Sequence, residues 1–302
     1  MRIFRIVAWI SLLLGISAAW GQNPACEGPT APDAKHPPER LDGATSYVYK
    51  RAGDLELRLH VFSPSRPSAT GSPAIVIFSG GGWKWTSVSS SVPLAEHLAA
   101  KGMVAILPDY RVLCRGNADI AEEITDGKSA VRWVRAHARE LGVDPDKIAA
   151  SGGSSGAHIA LSTAVLDGFD DASEDRKISS RPDLLVLYYP CVDPTSKEEL
   201  EYSAAVLGSH GEDVAPAHQV RKGQPPMIVL QGTADTLYSN SKNYCEALNA
   251  AGNRCDFVEF DGAPHGFANP ARQEKELVEE SLSYVDRFLE DEGYLNNRAA
   301  SR

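Results

Sequence analysis

A Gly-x-Ser-x-Gly turn centred on Ser154 is the residue pattern of this chain that is best suited to chemistry. The short apolar run 148–150 leads into the turn, and a helical pattern follows it. Glycines flank the serine because a sharp strand-to-helix turn leaves no room for a Cβ, and the strained turn lifts the hydroxyl out of the sheet. A Gly/Ser-rich loop also serves elsewhere as a simple turn. The hypothesis of a serine nucleophile therefore depends on partners from other parts of the chain.

A serine hydroxyl needs a base to remove its proton, and that base is usually a histidine oriented by a carboxylate. His265 lies on a tight loop directly after the predicted strand 257–260, and Asp235 lies on the loop after the preceding strand, 227–230. The sequence therefore predicts His265 as the base and Asp235 as the acid. Asp193 is the second candidate for the acid. The remaining histidines are predicted to be structural or solvated.

The tetrahedral intermediate of acyl transfer carries an oxyanion, and losing one N–H donor to it raises the barrier by about 2.7 to 4 kcal/mol. A run of consecutive glycines, 80–82, follows the apolar run 74–78 and exposes amides that no side chain obstructs. The amide of Ser155, at the predicted N-terminus of a helix, adds another donor. A phosphate-binding loop is the alternative interpretation of the glycines, but no Gly-Lys-Ser/Thr follows them.

Short apolar runs separated by helical patterns predict an α/β fold. Residues 55–61 alternate with period two, as in an antiparallel strand with one solvated face, whereas later runs are continuously apolar, as in strands buried on both faces. An apolar helical stripe spans 124–141 and ends at Gly142. This alternation predicts one domain with a mostly parallel sheet and a site beyond the carboxyl ends of its strands. The continuous runs are 74–78, 104–107, 147–150, 184–189 and 227–230.

The N-terminus is typical of a secretory signal peptide, because Arg2 and Arg5 precede an apolar run, 6–16, that small residues follow. This run is shorter than the ~20 residues of a membrane span, so we expect no stable membrane anchor and a secreted or periplasmic protein. Cleavage is expected after Ala19 or Gly21. The predicted segments are a signal peptide (1–21), a Pro-rich leader that buries little (22–40), an α/β domain (41–292) with a cap or binding insertion (192–226), and a flexible polar tail (293–302).

The net charge indicates which binding partners are disfavoured, and the cysteines indicate which disulfides an exported protein could form. A net charge of −10 disfavours nucleic acid and anionic membranes, which require clustered Lys and Arg. Export permits disulfides, and Cys245 and Cys255, in a predicted helix and the strand after it, are predicted to form one. The sequence does not assign Cys26, Cys114 and Cys191.

Five motifs between residues 74 and 267 resemble those of the α/β-hydrolase superfamily: Phe-x-Gly-Gly-Gly-Trp, Asp-Tyr-Arg, Gly-Gly-Ser-Ser-Gly-Ala-His, Gly-Thr-x-Asp and Pro-His-Gly-Phe. The chain looks most like esterases related to hormone-sensitive lipase and like acetylxylan and feruloyl esterases. The resemblance implies a sheet of about eight strands with helices on both faces. It also implies the triad Ser154, His265 and Asp235, with oxyanion donors at Gly81, Gly82 and Ser155. The family motif usually begins with His where this chain has Ser79.

The resemblance implies hydrolysis of a small-molecule or carbohydrate ester, without a cofactor or metal. Aromatic residues, Trp83 and Tyr110 among them, are expected to line an open cleft that suits a sugar or an aryl group, although the same rings would equally pack beneath the loops. Two other functions stay open: a serine peptidase of the prolyl-oligopeptidase type, and a non-catalytic binding protein. The natural acyl group, the alcohol and the oligomeric state are not predicted.

Overall fold

The computed structural model describes residues 24–27, 33–269 and 275–296, so the predicted signal peptide, 1–21, lies outside the described residues. Among the described residues, no helix combines the length and the apolarity that a bilayer span requires.

Eight strands form one sheet, as the family resemblance implies. They are β1 (Thr45–Ala52), β2 (Leu55–Phe62), β3 (Ser72–Phe78), β4 (Val104–Pro108), β5 (Val143–Gly153), β6 (Leu184–Tyr188), β7 (Met227–Gly232) and β8 (Cys255–Phe260). Their order across the sheet is β1-β2-β4-β3-β5-β6-β7-β8. The hairpin β1–β2 joins β4 in antiparallel fashion, and all pairs from β4 to β8 are parallel. The predicted mostly parallel α/β fold is confirmed.

Helices cover both faces of the sheet. They are α1 (Val92–Ala100), α2 (Ile120–Ala136), α3 (Ala138–Leu141), α4 (Ser155–Val165), α5 (Lys197–Ser203), α6 (Tyr238–Ala250) and α7 (Lys275–Asp291). Buried side chains of α2, α4 and α6 pack on one face, and those of α1 and α7 pack on the other. The sheet therefore lies between two apolar layers, which explains why its central strands are apolar on both faces.

The helix predicted over 124–141 is two helices, α2 and α3, and it begins earlier than the apolar stripe indicates. Asp119 caps α2: its Oδ1 accepts the Glu122 amide at 2.9 Å, and Glu122 Oε2 accepts the Asp119 amide at 3.2 Å. Such a capping box satisfies two amides that would otherwise lack partners at the helix start. It fixes the beginning of α2 at Ile120.

Both predicted terminal segments pack onto the domain more than expected. Ala34 is fully buried, and the Asp33 carboxylate accepts hydrogen bonds from the Ser89 amide, at 2.9 Å, and from the Ser87 hydroxyl. The prediction that the leader buries little is therefore wrong at these residues. The predicted polar tail also begins too early, since Tyr294 and Leu295 pack into the apolar layer of α1 and α7.

Two disulfides connect elements that are adjacent in space. Cys245 in α6 pairs with Cys255 in β8, which confirms the predicted pair. Cys26 pairs with Cys114, so the leader is attached to the loop between β4 and α2. Cys191 is a free, buried thiol.

We expect paired Cys→Ser substitutions to destabilise the protein unequally. Cys26 and Cys114 are separated by 88 positions, whereas Cys245 and Cys255 are separated by 10. Because a longer closed loop restricts the unfolded chain more, the expected losses in the free energy of unfolding are about 4.5 and about 2.5 kcal/mol. Urea unfolding without reductant measures both. Equal losses, or a larger loss for the shorter loop, would contradict this ranking.

Candidate active site

Ser154 lies at the junction of β5 and α4 in a strained backbone conformation, with φ 57° and ψ −126°. Such a conformation costs about 1–3 kcal/mol in a residue with a side chain. The neighbouring glycines are required by crowding. A Cβ at Gly152 would lie 2.4 Å from the carbonyl carbon of Gly156, and a Cβ at Gly156 would lie 2.2 Å from the Phe78 carbonyl oxygen. The motif therefore reflects the close packing of the turn against α4 and β3.

The structure brings together the three residues that the sequence selected for acyl transfer. His265 Nε2 lies 2.8 Å from Ser154 Oγ, and His265 Nδ1 lies 2.7 Å from Asp235 Oδ2. Asp235 is buried, and it also accepts hydrogen bonds from Gln231 Nε2 at 2.7 Å and from the Leu237 amide at 3.0 Å. Because the carboxylate holds the proton on Nδ1, the lone pair of Nε2 faces the Ser154 hydroxyl.

Asp193, the second candidate for the acid, has other partners. Its Oδ2 lies 3.2 Å from His218 Nε2, and its Oδ1 accepts the Thr195 hydroxyl at 2.6 Å. Of the two candidate carboxylates, only Asp235 contacts His265.

The glycine loop lies against Ser155, and one of the three amides that were predicted to bind the oxyanion is already hydrogen-bonded. The Gly81 amide donates to Ser155 Oγ at 3.0 Å, so this predicted donor already has an acceptor. The amides of Gly82 and Ser155 have no hydrogen-bond acceptor within the described parts of the chain. Two backbone donors are thus available beside the nucleophile without breaking an existing bond.

Hydroxyl groups support the glycine loop where the related motif has a histidine. Ser79 Oγ lies 2.9 Å from Ser91 Oγ, and the Tyr110 hydroxyl donates to the Ser79 carbonyl oxygen. Burial raises the pKa of Tyr110 well above its ordinary value, which keeps the hydroxyl protonated as a donor. Tyr110 is only 1% exposed and lies outside the cavity lining. The expected substrate contact by Tyr110 is wrong, since this residue lies beneath the loop.

A cavity of about 580 Å³ opens above Ser154, and Trp85 and Tyr189 contribute aromatic surface to it. Trp83 also lines it, but its side chain is only 1% exposed and its indole N–H donates to His158 Nδ1 at 3.2 Å. Trp83 therefore contributes mainly to the packing of the cavity wall. Within the described residues, no group of three or more His, Cys, Asp or Glu side chains is arranged to hold a metal ion.

Elements outside the sheet complete the cavity. The leader contributes Ala34, and the insertion contributes Glu199 and Tyr202 from α5. Tyr202 is 54% exposed, whereas Glu199 is buried. Sequence patterns do not single out these two residues, because a helix as short as α5 shows no periodicity that distinguishes the cavity side from the solvent side.

Comparisons with known proteins agree with this architecture. Residues 75–269 match a family model described as the α/β-hydrolase fold. The apo form of esterase 2 from Thermogutta terrifontis is 41% identical, and the match covers 87% of this chain and 100% of that one with a TM-score of 0.82. The propionate-bound form of the same esterase is 40% identical, with coverage of 87% and 99% and a TM-score of 0.81.

A more distant relative is esterase LipC of Mycobacterium tuberculosis, which is 26% identical over 224 residues. The match covers 68% of this chain and 54% of LipC, so the chain spans about half the length of that relative.

We expect Tyr110→Phe to weaken both the fold and the site. It leaves the buried Ser79 carbonyl unpaired, which should lower the free energy of unfolding by about 1–2 kcal/mol. The loosened glycine loop should slow p-nitrophenyl acetate hydrolysis by about tenfold, since small displacements near reacting atoms are costly. Tyr49→Phe is the control, because its hydroxyl donates to the Asp109 carbonyl oxygen at 2.8 Å, outside the loop. Tyr49→Phe should lower the free energy of unfolding by a similar amount and leave the rate of p-nitrophenyl acetate hydrolysis unchanged. Equal rate losses in the two variants would refute the role assigned to Tyr110.

Proposed function

This chain belongs to the α/β-hydrolase fold family, and from that membership we propose that it is a secreted serine carboxylesterase. Its substrates are short-chain or carbohydrate-linked esters, such as acetyl or feruloyl esters, and it cleaves them through an acyl-enzyme on Ser154. The observation that carries the proposal is the continuous hydrogen-bonded series from Ser154 through His265 to the buried Asp235, at the base of a cavity. The esterase relatives support the same reaction.

The proposed first half-reaction begins with attack of Ser154 Oγ on the ester carbonyl carbon. His265 Nε2 takes the hydroxyl proton during this attack, and the buried Asp235 carboxylate stabilises the resulting imidazolium. The carbonyl oxygen becomes an oxyanion, which the amides of Gly82 and Ser155 bind. His265 then gives the proton to the departing alcohol oxygen, so that the C–O bond of the ester breaks and the acyl group stays on Ser154.

Water completes the proposed cycle. His265 Nε2 removes a proton from a water molecule that attacks the acyl carbon, and the same amides bind the second oxyanion. The intermediate collapses with return of the proton to Ser154 Oγ, which releases the carboxylic acid. The nucleophile, the base and the acid of this scheme are protein side chains, and His265 lies within hydrogen-bond reach of both Ser154 and Asp235.

Several features support the substrate class and the location. A cavity of about 580 Å³ suits a small ester, and the related esterase 2 binds propionate. The exposed Tyr202 ring at the cavity offers a face on which a sugar or an aryl group would pack. The two disulfides fit the oxidising compartment that the N-terminal sequence predicts.

We expect Asp235→Asn to lower kcat for p-nitrophenyl acetate by about 10³- to 10⁴-fold, because an amide at this position no longer fixes the tautomer of His265. Asp193→Asn is the matched control and should change kcat by less than about threefold, since Asp193 contacts His218 instead. A large loss of kcat in Asp193→Asn with a small one in Asp235→Asn would reverse the assignment of the acid.

Ser154→Ala should lose acyl-enzyme turnover while it keeps the thermal unfolding midpoint of the parent.

A substrate panel tests the proposed activity itself. The panel contains acetylated xylan, methyl ferulate, p-nitrophenyl acetate, butyrate and octanoate, and a glycyl-prolyl p-nitroanilide. We expect kcat/KM to be highest among the short or carbohydrate-linked esters and to fall by about tenfold or more at octanoate. The amide should be hydrolysed far more slowly. Strong amide hydrolysis without ester hydrolysis would favour a peptidase and overturn the proposal.

A further inference from the structure

A buried carboxyl group that the proposed mechanism does not use forms part of the active-site cavity. Glu199 lies in the first turn of α5, is only 1% exposed, and lines the same cavity as Ser154. Its own amide donates to Ser196 Oγ at 3.3 Å, so the helix start holds its backbone in place. The position of this carboxyl group is therefore fixed by the fold.

The two oxygens of Glu199 have different environments. Oε1 accepts the amides of Val192 and Asp193, at 3.2 and 3.3 Å. Oε2 is buried and has no hydrogen-bond partner within the described residues. The NH2 group of Asn240 also faces this carboxyl group: one of its two hydrogens is donated to Ser196 Oγ at 3.0 Å, and the described structure contains no hydrogen bond from the other to Oε2. A buried acceptor without a partner is unfavourable in the free protein, and it becomes satisfied when a ligand supplies the missing hydrogen bond.

Glu199 lies close enough to the nucleophile to contact the same substrate molecule. The Cys191 thiol lies beside both the Ser154 hydroxyl and the Glu199 carboxyl group, so one side chain separates them. Burial raises the pKa of Cys191 well above its ordinary value, which leaves the thiol neutral. Cys191 therefore carries no charge beside Glu199, and its S–H is only a weak hydrogen-bond donor toward this carboxyl group.

The protonation behaviour of Glu199 favours one kind of ligand. Burial raises the pKa of Glu199 to about 7, so both forms are present near neutral pH. The ionised form accepts a hydrogen bond at Oε2, whereas the protonated form donates one there, because Oε1 is committed to two amides. An ammonium group suits only the ionised form, and a ketone suits only the protonated form. A hydroxyl group both donates and accepts, so it suits both forms.

We propose that Glu199 Oε2 binds a hydroxyl group of the ester substrate, so that the enzyme selects hydroxylated esters over esters of the same shape without a hydroxyl. This inference rests on the proposed esterase function, and it names Glu199 as a residue that determines specificity. The hydroxyl belongs to either the acyl part or the alcohol part, and substrates with the hydroxyl in each part distinguish these cases.

The wild-type enzyme provides the first measurement. On the acyl side, kcat/KM for ethyl 3-hydroxybutanoate is compared with that for ethyl 3-methylbutanoate. On the alcohol side, 2-hydroxypropyl butanoate is compared with 2-methylpropyl butanoate. We expect the hydroxylated ester to be preferred by about tenfold in one of these pairs, because it satisfies the unpaired oxygen. No preference in either pair would overturn the proposal without any variant being made.

Glu199→Gln provides the second measurement. The glutamine oxygen still accepts the two amides at Val192 and Asp193, so its NH2 group replaces the free acceptor with a donor. The substrates are the two hydroxylated esters and their ketone analogues, ethyl 3-oxobutanoate and 2-oxopropyl butanoate, at pH 8. The relevant side of the ester, acyl or alcohol, is the one on which wild type prefers the hydroxylated ester in the first measurement. For the hydroxyl and ketone esters of that side, we expect Glu199→Gln to lower the hydroxyl-to-ketone ratio of kcat/KM by about tenfold relative to wild type. A general loss of activity cancels in this ratio.

Glu198→Gln is the matched control, because Glu198 is the exposed neighbour of Glu199 on α5 and the substitution removes the same charge. It should leave the hydroxyl-to-ketone ratio of wild type unchanged. An equal shift in both variants would indicate a field effect of charge and would refute the proposed contact. If wild type hydrolyses p-nitrophenyl acetate but Glu199→Gln keeps the wild-type ratio, this inference alone fails. If wild type hydrolyses no ester, the proposed function fails.

Discussion

The close approach of β3 to the start of α4 is the constraint on which the site depends. A Cβ at Gly156 would lie 2.2 Å from the Phe78 carbonyl oxygen, and a Cβ at Gly80 would lie 2.3 Å from the Gly153 carbonyl oxygen. Such distances exclude every side chain, so the glycine loop and the serine turn meet backbone to backbone. This contact brings the free amides beside the Ser154 hydroxyl. Glycine in regular structure costs about 0.5–1 kcal/mol relative to alanine, which the large buried core of the sheet offsets.

The parallel sheet supplies the remaining partners through its topology. Because β5, β7 and β8 run in the same direction, the loops that follow them emerge at one edge and bring Ser154, Asp235 and His265 together. The rest of the cavity comes from segments outside the sheet, the leader at Ala34 and the helix α5. The fold thus fixes the positions of the groups proposed for the chemistry, while less regular segments shape the space that a substrate would occupy.

The sequence predicts those parts of the structure that have a local signature. Buried parallel strands are continuous apolar runs, and the glycines around Ser154 mark a crowded turn, so most strands and the three residues of the hydrogen-bonded series are predictable. Contacts between distant segments have no such signature. The pair Cys26–Cys114 and the Gly81 amide bound to Ser155 Oγ depend on how loops fold back across the domain. The edge strand β1 also has no continuous apolar run, because it is partly polar and only partly buried along its length.

Two buried carboxyl groups in one region of the site differ in how completely they are bonded. Both oxygens of Asp235 have donors: His265 and Gln231 at Oδ2, and the Leu237 amide at Oδ1. A carboxylate bonded in this way is suited to orient its partner, and it offers no free position to a substrate. Within the described residues, Glu199 has donors at one oxygen only, and this residue lines the pocket that contains the nucleophile. Complete bonding suits a group that positions a base, whereas an unfilled acceptor at the wall of a cavity suits recognition of a ligand.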